Sequence, residues 1–196
     1  MTTSVRRAYA AALAALALAL CLGACSGGGD DEPEPPGAAP SGAPSTPAVR
    51  TEVTIGEITG ALPRDARRRL AKHVGEVVDG WVQAAYLGGR YPRRDFSDSW
   101  PGFTAGAKDE AHRDKRLMSN QDIGERIDGV EARRSQVRVD VLAVRRHAVG
   151  VTARVVLRFR TTGKVERDVR VQGRLYLTPT GHGWRVFGYD MTKGAV

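Results

Sequence analysis

The side chains best suited to acid–base chemistry in this 196-residue chain are His73, Asp98, His112 and Asp190. An imidazole titrates near neutral pH and can pass protons. His73, however, precedes Val74 and borders an apolar stripe, where a flanking or satisfied core histidine is the favoured reading. Asp98, in the stretch DFSDSWP, fits a helix-capping or turn role as readily as catalysis. His112 falls among Lys108, Asp109, Glu110, Arg113 and Asp114 on a polar helix face, and Asp190 follows Tyr189 at the end of the last strand. His147 and His182 are expected in hairpins. No two of these groups have the spacing of a metal site or of a nucleophile with its base, and no glycine-rich phosphate loop is present. The expectation is a non-catalytic protein with no metal and no cofactor.

One thiol stands apart. Arg6 and Arg7 precede an apolar run from about Ala8 to Leu22, which closes on Leu22-Gly23-Ala24-Cys25 and passes directly into Gly, Ser, acid and Pro. A charged start, a short greasy middle and small residues before a boundary are the parts of an export signal, and the run is short for a membrane span. The closing tetrapeptide resembles the bacterial lipobox. That resemblance implies that the Cys25 thiol takes a diacylglyceryl group before cleavage, and that the cysteine amine is often acylated as well. Two or more acyl chains on one residue are enough for stable anchoring. The alternative is an ordinary secretory signal cut near the same place, with Cys25 incidental. Cys21 would leave with the signal, so the mature chain has no disulfide, CxxC pair or cysteine metal site available. The expected location is the cell membrane, lipid-anchored on the extracytoplasmic side.

Residues 1–24 are therefore read as a lipoprotein signal, 25–50 as a tether and 51–196 as one domain. The tether is nearly all Gly, Pro, Ser, Ala and acid, which cannot bury enough apolar surface to fold. About 25 such residues reach roughly 25–30 Å as a random coil. Arginine outnumbers lysine 25 to 5, a bias that suggests a GC-rich genome and, with the lipobox, an actinobacterium. From Arg50 onward the chain carries 28 Lys and Arg against 18 Asp and Glu, about +10. Outside a cell membrane such a domain meets anionic lipid, anionic wall polymers or acidic proteins, and export argues against nucleic acid.

The first half of the domain reads helical. Pro63 and Asp65 suit a helix start. Leu70, Val74, Val77, Val78, Trp81 and Ala85 then recur at helical spacing until Gly88-Gly89. A helical turn is expected near Arg94–Ser99, and a second helix from about Thr104 to Met118 with Thr104 as N-cap. The second half reads as strands of period two. Val137, Val139 and Val141 alternate with Arg138 and Asp140. The run Val149, Val151, Ala153, Val155, Leu157, Phe159 faces one way and Thr152, Arg154, Val156, Arg158, Arg160 the other. Val169, Val171, Leu175 and Leu177 then oppose Arg170, Gln172, Arg174 and Tyr176, and a last strand covers Trp184–Asp190. Connections are placed at His147–Gly150, Thr161–Glu166 and Thr178–Gly183. One greasy face means an antiparallel sheet of about four strands covered on one side by helices, an α+β class.

The helix RLAKHVGEVVDGWVQAAY, the segment DFSDSWPGFTAGAKDEAHRDKRLM, three long strands and the closing GWRVFGYDM resemble the cone-shaped NTF2-like (cystatin-like) domains of actinobacterial lipoproteins and Mce-associated membrane proteins, over roughly residues 60–192. The resemblance implies a cone between helices and curved sheet, and a link to envelope transport complexes. Trp81, Phe96, Trp100, Phe103, Trp184, Phe187 and Tyr189 are the residues that would line such a cavity, or fill it as core. Arg154, Arg158 and Arg160 share one strand face and Arg170 and Arg174 the next, with Arg138 and Arg185 as further members. Brought into register, they give a basic face with few acids to neutralise it; the bland alternative is a solvated face in an arginine-rich chain. Three functions follow in order: an accessory or scaffold protein docking an envelope protein, anionic lipid or wall polymer through the basic face; a carrier of a small apolar ligand in the cone; and an unrecognised enzyme.

Overall fold

The computed structural model describes residues 49–196. The signal, Cys25 and most of the tether lie outside the described residues. The fold is α+β: strand β1 (Glu52–Thr59), helix α1 (Arg64–Val82), short helices α2 (Ala105–Arg113) and α3 (Lys115–Met118), and a meander of four long strands. These are β2 (Gly129–Val144), β3 (His147–Thr162), β4 (Arg167–Thr180) and β5 (Gly183–Ala195). The sheet order is β1-β2-β3-β4-β5. The meander is antiparallel and β1 joins its edge parallel to β2, so the sheet is mixed and open.

The expectation of about four strands is corrected to five. The sequence EVTIGEIT hides its period because the pairing with β2 slips between Ile55 and Ile58. Val53, Ile55 and Ile58 pack only partly buried against the core, as befits an edge strand.

Alternation in the strands makes the core. Val137, Val139, Ala153, Val155, Leu157, Phe159, Val169, Val171, Leu175 and Leu177 are buried on one face. Leu70, Val74, Val78, Trp81, Val82 and Ala85 cover them from α1 and its π-helical extension Gln83–Leu87. Each such side chain withdrawn from water contributes about 1.5–3 kcal/mol before the entropy cost of ordering it. This cluster runs from Leu62 to Met191, so the core is closed within the described residues, and they can be produced and tested as a unit. Polar ties hold the helices down. The indole N–H groups of Trp81 and Trp100 both donate to the Met118 carbonyl at 3.2 Å. Buried Asn120 donates to the Tyr86 carbonyl at 3.0 Å and to the Tyr91 hydroxyl at 3.2 Å. Lys193 Nζ, almost fully enclosed, donates to the Arg116 and Ser119 carbonyls and to Asp122 Oδ1. Burial pulls its pKa below the usual lysine value, and Asp122 opposes that shift.

Several local expectations are corrected. The second helix breaks at Asp114, whose backbone leaves the helical region (φ −95°, ψ 24°) and whose carboxylate receives the Tyr189 hydroxyl at 2.9 Å. Arg94–Ser99 forms a turn with no helix; there Asp95, and not Asp98, accepts the Ser97 amide, at 2.8 Å. That bond holds the Asp95 carboxyl below the usual carboxylate range. Thr104 does cap α2, accepting from the Ala107 amide at 3.3 Å. His147 begins β3, because the chain already reverses at Arg145 (φ 50°) and Arg146 (φ 66°). A two-residue turn with both φ positive ordinarily takes Asn-Gly, and left-handed backbone costs a side-chain-bearing residue roughly 1–2 kcal/mol. Val149, expected inward, is exposed, since the register slips between Leu142 and Ala143 and leaves it unpaired in a bulge.

Gly173 (φ 149°) lies midway along β4. A Cβ there would lie 2.1 Å from the Asp190 carbonyl oxygen, so only glycine permits this close approach of β4 and β5.

Candidate functional site: the outer face of the sheet

Pairing in register converts the strand arginines into rows across the uncovered face. One row runs Arg138, Arg154, Arg174, Asp190 through β2, β3, β4 and β5. Two residues closer to Asp140's end of the strands stands the row Asp140, Thr152, Tyr176, Gly188. Four residues from the first row, in the other direction, runs Arg134, Arg158, Arg170, Gly194. Between these two arginine rows lies the uncharged set Gln136, Val156, Gln172, Thr192.

The two arginine rows differ in compensation. In the first, Arg154 reaches Asp140 Oδ2 at 2.8 Å, Arg138 reaches Asp140 Oδ1 at 3.6 Å, and Arg174 reaches Asp190 at 3.7 Å. Asp140 also accepts the Glu57 amide at 3.0 Å, which ties edge strand β1 to the row. Partial burial raises the Asp140 carboxyl pKa, but the Arg154 bond, the Glu57 amide and the charges of Arg154 and Arg138 together hold it below the usual carboxylate range.

In the second row no such acid stands. Among the described residues Arg134, Arg158 and Arg170 make no ion pair, and the β5 position that holds Asp190 in the first row is Gly194 here. The space beside Gly194 is open: a Cβ built there meets nothing within 4 Å. The Arg170 Nε is buried without a hydrogen-bond partner. Neighbouring strands are about 4.8 Å apart, so the three guanidinium groups repel one another across the strands. Such a row can accept an extended anion through bidentate contacts. Arg160 is not part of it, being closed by Glu166 at 2.6 Å and Asp168 at 3.1 Å, which hold it more firmly charged. Arg185 sits apart, partly buried and opposite Thr178. The basic face expected from the sequence thus divides into a neutralised part and a bare part.

Arg134 and the acids that neutralise the first row were missed from sequence. The signal for Arg134 was there: Arg134, Gln136, Arg138 and Asp140 alternate with Ser135, Val137 and Val139. The strand was read as starting only at Val137.

The remaining sequence candidates scatter. Trp81, Phe96, Trp100 and Phe103 are at most 3 % exposed and lie in the packed interior. Trp81 meets Tyr86 edge-on at 5.4 Å and Phe103 at 6.2 Å. Trp184 and Tyr189 are half-buried, and Phe187 is 55 % exposed, beside Tyr176 on the outer face. His73 borders an open cleft of about 400 Å³ with Glu76, His182, Trp184 and Arg185. His112 packs against the Trp100 ring at 4.4 Å, Asp98 is exposed, and Asp190 is engaged by Arg174. Among the described residues no group of three or more His, Cys, Asp or Glu could hold a metal ion, and no helix is long and apolar enough to cross a membrane.

No family model matches the chain, and neither does any curated protein or solved structure.

Proposed function

We propose that this protein is a non-catalytic, lipid-anchored extracytoplasmic accessory module that docks an anionic envelope component on the bare arginine row of its sheet. The observation that carries this reading is Arg134, Arg158 and Arg170 aligned on three adjacent strands with no carboxylate in ion-pair range among the described residues and an Arg170 Nε that has no hydrogen-bond partner among them. An anionic partner relieves their mutual repulsion. Anchoring rests on the lipobox-like Leu22-Gly23-Ala24-Cys25. Within the α+β class, the domain is read as an NTF2-like cone. The long α1 laid against the inner face supports this, and the likeness to Mce-associated proteins makes an envelope transport complex the proposed setting. The buried Trp81, Phe96, Trp100 and Phe103 occupy the interior that a ligand carrier would need, which favours docking over carriage.

The test is titration of residues 49–196 with poly(glycerol phosphate) as the anionic probe. Replacing Arg134, Arg158 and Arg170 together by Gln abolishes binding while the circular dichroism spectrum is kept. The same replacement at Arg138, Arg154 and Arg174 lowers it far less. Equal losses from the two triples would sink the reading.

A further inference from the structure

Four of the five large apolar side chains exposed on the described surface are Leu142, Val144, Val149 and Phe187. The first three belong to one hairpin tip, the turn between β2 and β3, and they flank Arg145, Arg146 and His147, all exposed. Phe187, with Tyr176 at 6.4 Å between ring centres, lines the same outer-face groove as Leu142. The tip is unpaired with the strands on either side of it. Pairing with β1 ends at Thr59↔Leu142 and pairing with β4 at Val151↔Leu177, so residues 143–150 have sheet partners only within their own hairpin. No acidic residue lies between Val141 and Val165. The nearest acids around this end are Asp140 on β2, engaged by Arg154 and Arg138, and Glu57 on β1, which lines the outer-face groove beside Leu142.

These features are unexpected in a tip meant only for water. Exposed valines and a leucine at a reversal lose free energy there, and Arg-Arg is a poor choice for a turn that needs two positive φ angles. Strained backbone of this kind concentrates at functional positions. Apolar residues beside cationic ones, on a hairpin tip, match one surface: the boundary of an anionic bilayer, where side chains enter between headgroups while guanidinium groups stay at phosphate level.

We infer that the β2–β3 hairpin tip is a membrane-docking element that inserts Leu142, Val144 and Val149 into an anionic leaflet with Arg145 and Arg146 at the headgroups. It acts independently of the bare arginine row and does not require a lipid on Cys25. It holds the domain to the bilayer in a set orientation that a tether alone could not impose.

Both cysteines precede residue 26, so residues 49–196 accept a single labelling site cleanly. The experiment places an environment-sensitive fluorophore on Val144→Cys, or on Lys164→Cys at the opposite end of the sheet. Each is titrated with vesicles of phosphatidylcholine alone or with 30 mol % phosphatidylglycerol added (about a third anionic). The inference expects a blue shift at position 144 on anionic vesicles only, and none at 164. With the probe held at 144, the pair Arg145→Glu and Arg146→Glu lowers the partition coefficient by at least about 30-fold, two arginines at the surface each contributing about fivefold. Leu142→Ser with Val149→Ser lowers it further while circular dichroism stays native. Replacing Arg134, Arg158 and Arg170 by Gln leaves vesicle binding within about threefold. The inference is overturned if binding occurs with no shift at 144. It is equally overturned if the arginine-row triple abolishes vesicle binding and the tip variants do not, a result that would leave the docking row standing. Failure of the row to bind poly(glycerol phosphate), with the 144 shift intact, would remove the proposed function and keep this inference.

Discussion

Gly194 sits where a carboxylate would close the bare arginine row, and its replacement gives a signed prediction. Asp190 occupies the equivalent place in the neighbouring row and lies 3.7 Å from Arg174, with side chains 47 % and 67 % exposed. Ion pairs this exposed are worth about 0.2–1 kcal/mol. Gly194→Asp therefore gains about 0.5 kcal/mol from Arg170 at 10 mM salt, and a little more from Arg158 beyond it. Replacing any strand glycine also changes backbone entropy, so Gly194→Asn is the reference, and the space beside position 194 admits either side chain. For a domain of about 150 residues, 1 kcal/mol moves Tm by about 2–4 °C. Asp should accordingly melt about 1–2 °C above Asn in low salt. With a Debye length of about 4 Å at 0.5 M salt, the difference should nearly vanish there. Thermal unfolding followed by circular dichroism at 10 mM and 0.5 M salt reads both quantities. An Asp variant no more stable than Asn in low salt, or a gap undiminished in high salt, would refute the claim that the row is electrostatically uncompensated.

Other expectations test the frame that holds the row. Asp140 has a folded-state pKa below its ordinary value, so its contribution is present above about pH 4 and fades as the pH falls through the folded value. Asp140→Asn should lower stability at pH 6 by roughly 0.5–1 kcal/mol, and should flatten the loss of stability between pH 4 and pH 2 in a urea-unfolding series. Trp100→Ala should cost about 3–5 kcal/mol, since it empties a fully enclosed site and removes one of two indole donors to the Met118 carbonyl. Gly173→Ala should destabilise by more than the roughly 0.5–1 kcal/mol that Ala ordinarily gains over Gly in a strand, because its Cβ would strike the Asp190 carbonyl; Gly188→Ala, with 3.7 Å to Tyr176, is the mild comparison. Both are read from denaturant midpoints.

What the sequence made legible follows from the strength of each period. The stripe from Leu70 to Ala85 and the alternation from Val151 to Phe159 are long, and both lie where they were expected. The second helix was placed but its break was not, because Asp114 is an ordinary helix residue until Tyr189, 75 positions away, reaches it. Strand β1 escaped because its apolar positions slip parity at Gly56 and are only half-buried. The arginine faces could be drawn strand by strand, yet compensation depends on which residues pair across strands. The alternation of Arg170, Gln172 and Arg174 says nothing about Asp190 and Gly194 on the next strand. The hairpin tip was misplaced for a related reason: Arg145-Arg146 carries no turn signal of the Asn-Gly kind, so the reversal was put at His147–Gly150.

The most direct test of the bare row is the affinity of residues 49–196 for poly(glycerol phosphate) at 50 mM salt, wild type against Gly194→Asp and Gly194→Asn. The account predicts that Asn leaves binding near wild type while Asp weakens it about tenfold or more, since the new carboxylate both neutralises Arg170 and repels the probe. Equal affinity for the Asp and Asn variants would contradict it.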